Sequence, residues 1–223
     1  MTTMKRIYAF LTDIHSSFRA TWVSCLIIGC LIGINTITYQ VSTESGMVLA
    51  GYIEQTDTPF YYCMIKVFSL INQVIALLIL ITRSPILVSA FTSILLAVIS
   101  CTALGLLIYA FSRNLYISLL GLAAVILYKM TGSGVVYWIG LFNSVHTYGV
   151  LGLSFMVLTS ALFGCRKYRV ALFCLGLAPS VHPSWGIFLA VIMALAGLFN
   201  LKFSLHLAKK YWKHFAVGFC CCG

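Results

Sequence analysis

The chain has 223 residues, 61% of them hydrophobic, and carries 14 Lys and Arg against 4 Asp and Glu, a formal charge of +10. Only 8% of its side chains are charged, where soluble chains average about 25%, and its mean hydropathy is +1.04. That excludes a water-soluble domain, a disordered segment, a secreted disulfide scaffold and, despite the positive charge, a soluble nucleic-acid binder, and it predicts an all-α integral membrane protein.

A helix needs roughly 20 apolar residues to cross a hydrocarbon core of about 30 Å. Residues 1–19, with Lys5, Arg6 and Arg19, read as a cytoplasmic N-terminal segment. The first apolar run, 20–38, is longer than a signal-peptide core of about 7 to 15 residues and starts late, so it reads as a retained anchor with the N-terminus in the cytoplasm. The polar stretch 39–60, YQVSTESGMVLAGYIEQTDTPF, follows as an outer loop. Apolar runs resume at 61–81, ending before Arg83 and Pro85, and at 86–111, closed by Arg113 and Asn114. Shorter runs follow at 115–128, 135–144, 146–163, 170–181 and 185–201. Lys129, the glycines at 132 and 134, Arg166, Lys167, Arg169 and the pair His182-Pro183 separate them. The predicted transmembrane domain is thus 20–201, and 202–223, with Lys202, Lys209, Lys210 and Lys213, is a basic cytoplasmic tail.

Eight traverses from an inside N-terminus place every Lys and Arg except Lys66 and Arg113 in the cytoplasm, as the positive-inside bias requires. Runs of 10 to 14 residues reach only about 15 to 21 Å, so some must be half-helices. Re-entrant pairs at 115–145 and 170–201 leave the remaining ends on the same sides. The expected architecture is a polytopic transmembrane helical bundle of about six to eight membrane segments, some short or re-entrant.

The carboxylates are Asp13, Glu44, Glu54 and Asp57, and none follows. Ion-coupled carriers usually hold an ionisable group within the membrane, and the later runs have no acid. Glu54 and Asp57, three residues apart, share a face if their segment is helical. At the outer surface such carboxylates act as a general base toward a hydroxyl or hold a divalent metal, although acids in an aqueous loop also serve simple solvation. Arg113, His146 (in FNSVHTYG) and His182 (in APSVHPSW) fall on the same predicted outer face. Arg clamps phosphate and imidazole shuttles protons; the alternative is that these histidines satisfy helix ends.

Cys25, Cys30, Cys101 and Cys174 lie within apolar runs, where Cys acts as a small hydrophobe, and no CxxC pair suggests a metal site. Gly29 and Gly33 permit close helix packing. The terminal Cys220, Cys221 and Cys222 are candidates for palmitoylation or mark a truncated reading frame.

The stretch RKYRVALFCLGLAPSVHPSWGIFLAVIMALAG, residues 166–197, resembles the helix pair of multipass GT-C-type glycosyltransferases: a basic turn, a helix rich in Ala and Gly, a break at His182-Pro183 and a second apolar helix. The acidic loop after the first crossing is similar too. The resemblance implies sugar transfer from a polyisoprenyl-phosphate donor on the non-cytoplasmic face, with Asp57 or Glu54 catalytic and membrane lipids around it. Arg113, His146 and His182 are the candidate substrate contacts on sidedness alone. Such enzymes are usually longer, which makes this chain an N-terminal fragment or an inactive truncation on that reading. The competing reading is a membrane transporter or non-catalytic membrane subunit.

Overall fold

The computed structural model describes residues 17–35, 44–51, 69–130 and 148–220, and every regular element among them is an α-helix. The helices are α1 (Phe18–Asn35), α2 (Glu44–Leu49), α3 (Leu70–Thr82), α4 (Pro85–Ser112), α5 (Leu115–Met130), α6 (Tyr148–Gly164), α7 (Tyr168–Val181), α8 (Pro183–Phe199) and α9 (Leu201–Cys220). Two of them, α1 and α4, are long and apolar enough to cross a membrane; α3 and α5 to α8 are apolar but shorter.

The helix ends follow local chemistry. Ser84 caps α4, its Oγ accepting from the Leu87 N–H at 3.4 Å, and Pro85 takes the first helical position, where a missing N–H costs nothing. Ser69 caps α3 in the same way. At the other ends Arg83 and Arg113 adopt left-handed backbone (φ 52 and 53), and their N–H groups close onto the Ile79 and Tyr109 carbonyls. The Asn114 Oδ1 accepts from the Tyr116 and Ile117 N–H groups and starts α5 at once, so α4 and α5 form a hairpin.

Helix α4, 28 residues long, is about 42 Å from end to end at 1.5 Å per residue; α1, α3, α5 and α6 pack on it. α1 runs antiparallel to it, with Phe18 against Tyr109, Cys25 against Gly105, Gly29 against Val98 and Gly33 against Ile94. Cys25, Cys101 and Leu122 bury a core between α1, α4 and α5. α6 runs parallel to α4: Leu96 packs with Val150 and Leu151, the Ser100 and Ser154 hydroxyls bond at 2.8 Å, and the Cys165 thiol reaches the Leu106 carbonyl. α3 pairs with the first half of α4 through Ile75, Ile79 and Val88, and Gly46 of α2 rests on Ile75.

After α6 the chain reverses at Cys165 to Lys167, with Arg166 left-handed (φ 60). It runs down α7, turns at His182 and returns along α8. Gly186 fits against the Pro179 backbone, which already lacks an N–H inside α7. Beyond Asn200, α9 runs alongside α7 in the same direction, Gly176 facing the Phe215 carbonyl and Gly218 the Phe173 carbonyl.

Two expected positions change. The eight-traverse alternation puts Arg113 opposite Arg166, Lys167 and Arg169, and puts Arg83 beside Arg19. In the structure Arg113 donates to the Gly164 carbonyl at 2.7 Å, and Lys167 lies 4.5 Å from the Phe18 ring. Arg19, Arg113, Arg166 and Lys167 therefore share one end, hereafter the basic end, and Arg83 lies at the other. The reason is direction: α3 and α1 both run away from the basic end, and α6 runs parallel to α4, so successive apolar runs do not alternate. The segment expected to be a tail is helix α9, packed along α7 rather than standing apart from the bundle.

Candidate functional site

Glu54, Asp57 and His146 lie outside the described residues, so the acidic pair and its relation to His146 are not part of the described geometry. Arg113 and His182 are within it. Arg113 is exposed at the basic end, where its guanidinium caps the last turn of α6 at Gly164, a favourable place for a cation at a helix C-terminus. His182 touches Gly152, whose added Cβ would lie 2.7 Å from the His182 Cβ. Gly152 and Gly164 are twelve residues apart on α6, about 18 Å at 1.5 Å per residue. The structure therefore does not bring Arg113 and His182 together, which corrects their expected placement on one face.

His182 joins two helices. Its N–H donates to the Ala178 carbonyl at 3.0 Å and closes α7, while its Nδ1 accepts from the Trp185 N–H at 3.4 Å and opens α8. An imidazole accepting through Nδ1 carries its proton on Nε2 when neutral. The turn sits deep. Gly152 is two residues before Ser154, which bonds Ser100 near the middle of α4, so α7 and α8 enter from the basic end and reverse about halfway along α4. Non-helical backbone at such depth is tolerated where protein buries it; Gly186 and Val181 are buried here, and the Trp185 ring lies 6.5 Å from His182.

Two recesses flank α7 near the basic end. The larger, about 510 Å³, lies between α7, α8 and α9 and is lined by Leu172, Leu175, Met193 and Leu205 among others, with Tyr168, Asn200 and Ser204 its polar members. Tyr168 stacks edge-on to Phe203 at 5.8 Å and lies 6.5 Å from Tyr211. On the other side of this aromatic wall, a groove of about 320 Å³ is lined by Arg169, Val170, Phe173, Lys213, His214 and Val217. These α9 residues were invisible to a reading that took 202–223 as a tail. The available signal was the spacing of Phe203, Leu207, Tyr211 and Phe215, an apolar stripe four residues apart that marks a packed helix face.

Among the described residues no group of three or more His, Cys, Asp or Glu gathers as a metal site. Burial pushes the Cys165 thiol up from its ordinary value, with Arg113 and Lys167 acting against the rise. No family model matches the chain, and no match is found among curated proteins or solved structures.

Proposed function

We propose that this chain is a polytopic integral membrane protein of glycosyltransferase type, moving a sugar from a polyisoprenyl-phosphate donor on the face opposite its basic end. The membrane part of the reading rests on the described exterior. Leu31, Ile81, Phe111, Leu120, Ile187 and Phe199 are among many large apolar side chains left exposed along α1, α3, α4, α5 and α8, far beyond the patches a soluble monomer carries.

The observation that carries the enzymatic part is the direction of α1. It starts beside Tyr109 and ends past Ile94, so α1 delivers the chain at Asn35 to the end remote from Arg19, Arg113, Arg166 and Lys167, and Glu54 and Asp57 come later in the chain. The positive-inside bias assigns the basic end to the cytoplasm and the acidic segment to the other side. A carboxylate there takes the proton of an acceptor hydroxyl as its oxygen bonds the sugar carbon, and the donor phosphate leaves with the bonding pair. Arg113, at the opposite end, has no part in this chemistry. The test replaces Glu54 and Asp57 separately with Ala and measures lipid-linked sugar transfer in membranes. Loss of turnover in one or both is expected, and unchanged turnover in both overturns the reading.

The α7–α8 turn favours one alternative. Helices broken near mid-depth mark binding sites in many transporters, and His182 sits at such a break. Solute flux in reconstituted vesicles that survives loss of both acids favours transport over transfer.

A further inference from the structure

The seam between α7 and α9 collects cations from both helices, and no anion faces them among the described residues. Lys167 occupies the N-cap of α7 without a side-chain hydrogen bond to the first turn, which leaves the partial positive charge of that helix end for an outside acceptor. Arg169, in the same turn, lines the 320 Å³ groove with Lys213 and His214 of α9 over a floor of Val170, Phe173 and Val217. The Nδ1 of His214 is buried and has no hydrogen-bond partner among the described residues. No Asp or Glu side chain is among those described, since the chain's acids lie at 13, 44, 54 and 57; no described carboxylate neutralises Arg169 or Lys213. A further cation stands at the rim, where Lys210 lies 5.4 Å from the Tyr211 ring and Arg169 lies 5.9 Å from the same ring.

The floor decides what kind of anion fits. A free phosphate gains nothing from Val170, Phe173 and Val217, whereas a phosphate carrying hydrocarbon uses both parts of the groove. Val170 and Val217 are 52% and 58% exposed, so the apolar side opens outward, toward lipid in an embedded protein. The groove lies at the first turn of α7, level with the basic end, where headgroups would be. Basic pockets between helices on the cytoplasmic side, and basic amphipathic helices like α9, are recognised binders of anionic lipid.

We infer that the α7–α9 seam binds an anionic phospholipid of the bilayer, its phosphate between Arg169, Lys213 and His214 and the start of its acyl chain along Val170, Phe173 and Val217. This rests on the membrane reading and not on the glycosyltransferase one. Recovery of the chain in the aqueous fraction would remove the membrane reading itself, whereas the lipid outcomes below concern this site alone.

The experiment purifies the full chain in mild detergent, offers it phosphatidylglycerol and phosphatidylcholine in equal amounts, and reads the retained lipids by native mass spectrometry. Two basic residues at about fivefold each give an expected preference of about twenty-five-fold for phosphatidylglycerol. The R169Q/K213Q double variant is expected to lose it, R169K/K213R to keep it, and K202Q, which alters a lysine outside the groove, to keep it as well. Equal retention by the wild type, an undiminished preference in R169Q/K213Q, or displacement of the lipid by inorganic phosphate at the same concentration overturns the inference. Photo-crosslinking of the wild-type chain with a diazirine phosphatidylglycerol needs no variant to fold. Crosslinks at Val170, Phe173 or Val217 are expected, and crosslinks confined to other helices overturn it.

Discussion

Helix α1 approaches α4 through Gly29 and Gly33, and the cost of adding one methyl group there follows from the distances. A Cβ at Gly29 would lie 2.6 Å from the Val98 Cα, and one at Gly33 would lie 2.7 Å from the Ile94 Cα, where ordinary contact is 3.4–4 Å. Both obstacles are backbone, so no change of rotamer clears them and the helices must part by roughly 1 Å, enough to forfeit a quarter to a half of each affected dispersion contact. Overpacking of this kind costs about 1 to 3 kcal/mol. Replacing Gly by Ala within a helix also returns up to about 1 kcal/mol of backbone propensity, so a single variant mixes two opposing effects.

Gly197→Ala separates them. A Cβ there meets nothing closer than the Ser204 Oγ at 3.4 Å, so it carries the propensity gain without the clash. The difference between Gly29→Ala or Gly33→Ala and Gly197→Ala is then the packing cost, about 2 to 12 °C in melting temperature at roughly 2–4 °C per kcal/mol for a chain of this size. Cys25 and Cys101 are both 0% exposed, so a thiol-reactive dye reports their exposure on heating in detergent. Melting temperatures for Gly29→Ala and Gly33→Ala equal to or above that of Gly197→Ala would refute the close approach of α1 to α4.

Three further outcomes are expected. In a double-mutant cycle on Ser100→Ala and Ser154→Ala, the hydroxyl pair bonded at 2.8 Å should give a coupling of about 0.6 kcal/mol, the average for such bonds in membrane helices; independent effects would show that the pair is not formed. The raised Cys165 thiol stays protonated through neutral pH, so its alkylation in a background lacking the other cysteines should be slow there and climb only above the ordinary thiol value of 9.0. Arg113→Ala, removing an opposing charge, should move that climb to higher pH, and a shift to lower pH contradicts the assignment. Single-cysteine probes at Arg113 and Lys167 should react with an impermeant label from the same side of the membrane, and a probe at Gln55 from the other; labelling of 113 and 167 from opposite sides would contradict the parallel course of α4 and α6.

Composition and helix-end signals made much of the fold legible. Arg83 with Pro85 and Arg113 with Asn114 mark real helix boundaries, His182-Pro183 marks a real break, and Gly29 and Gly33 mark a real contact, because each acts through bonds or clearances within one turn. The histidine's role as a helix cap was legible on the same grounds. Direction was not legible. Nothing local in LINQVIALLILIT tells which way α3 runs relative to α1, and that choice is made by packing, Ile79 against Val88 and Ile71 against Leu96 and the distant Val150. The groove at Arg169 escaped for a related reason: it exists only once α9 lies on α7, and that contact depends on Gly176 facing the Phe215 carbonyl and Gly218 the Phe173 carbonyl, pairs far apart along the chain.

Charge bias and alternation are separate inferences, and the structure parts them. Arg113 moves to the basic end while Arg83 and the Lys129 end of α5 lie away from it, and Arg19, Arg113, Arg166 and Lys167 still share one end although the traverse count behind the expected bias does not hold. What the functional reading needs is narrower than that count. α1 begins at the basic end and runs away from it, which sets the end at which Asn35 leaves the helix before the acidic stretch of the sequence. The directions of α5 to α9 do not enter that placement, since Gly33 against Ile94 and Phe18 against Tyr109 fix both ends of α1 on α4 alone.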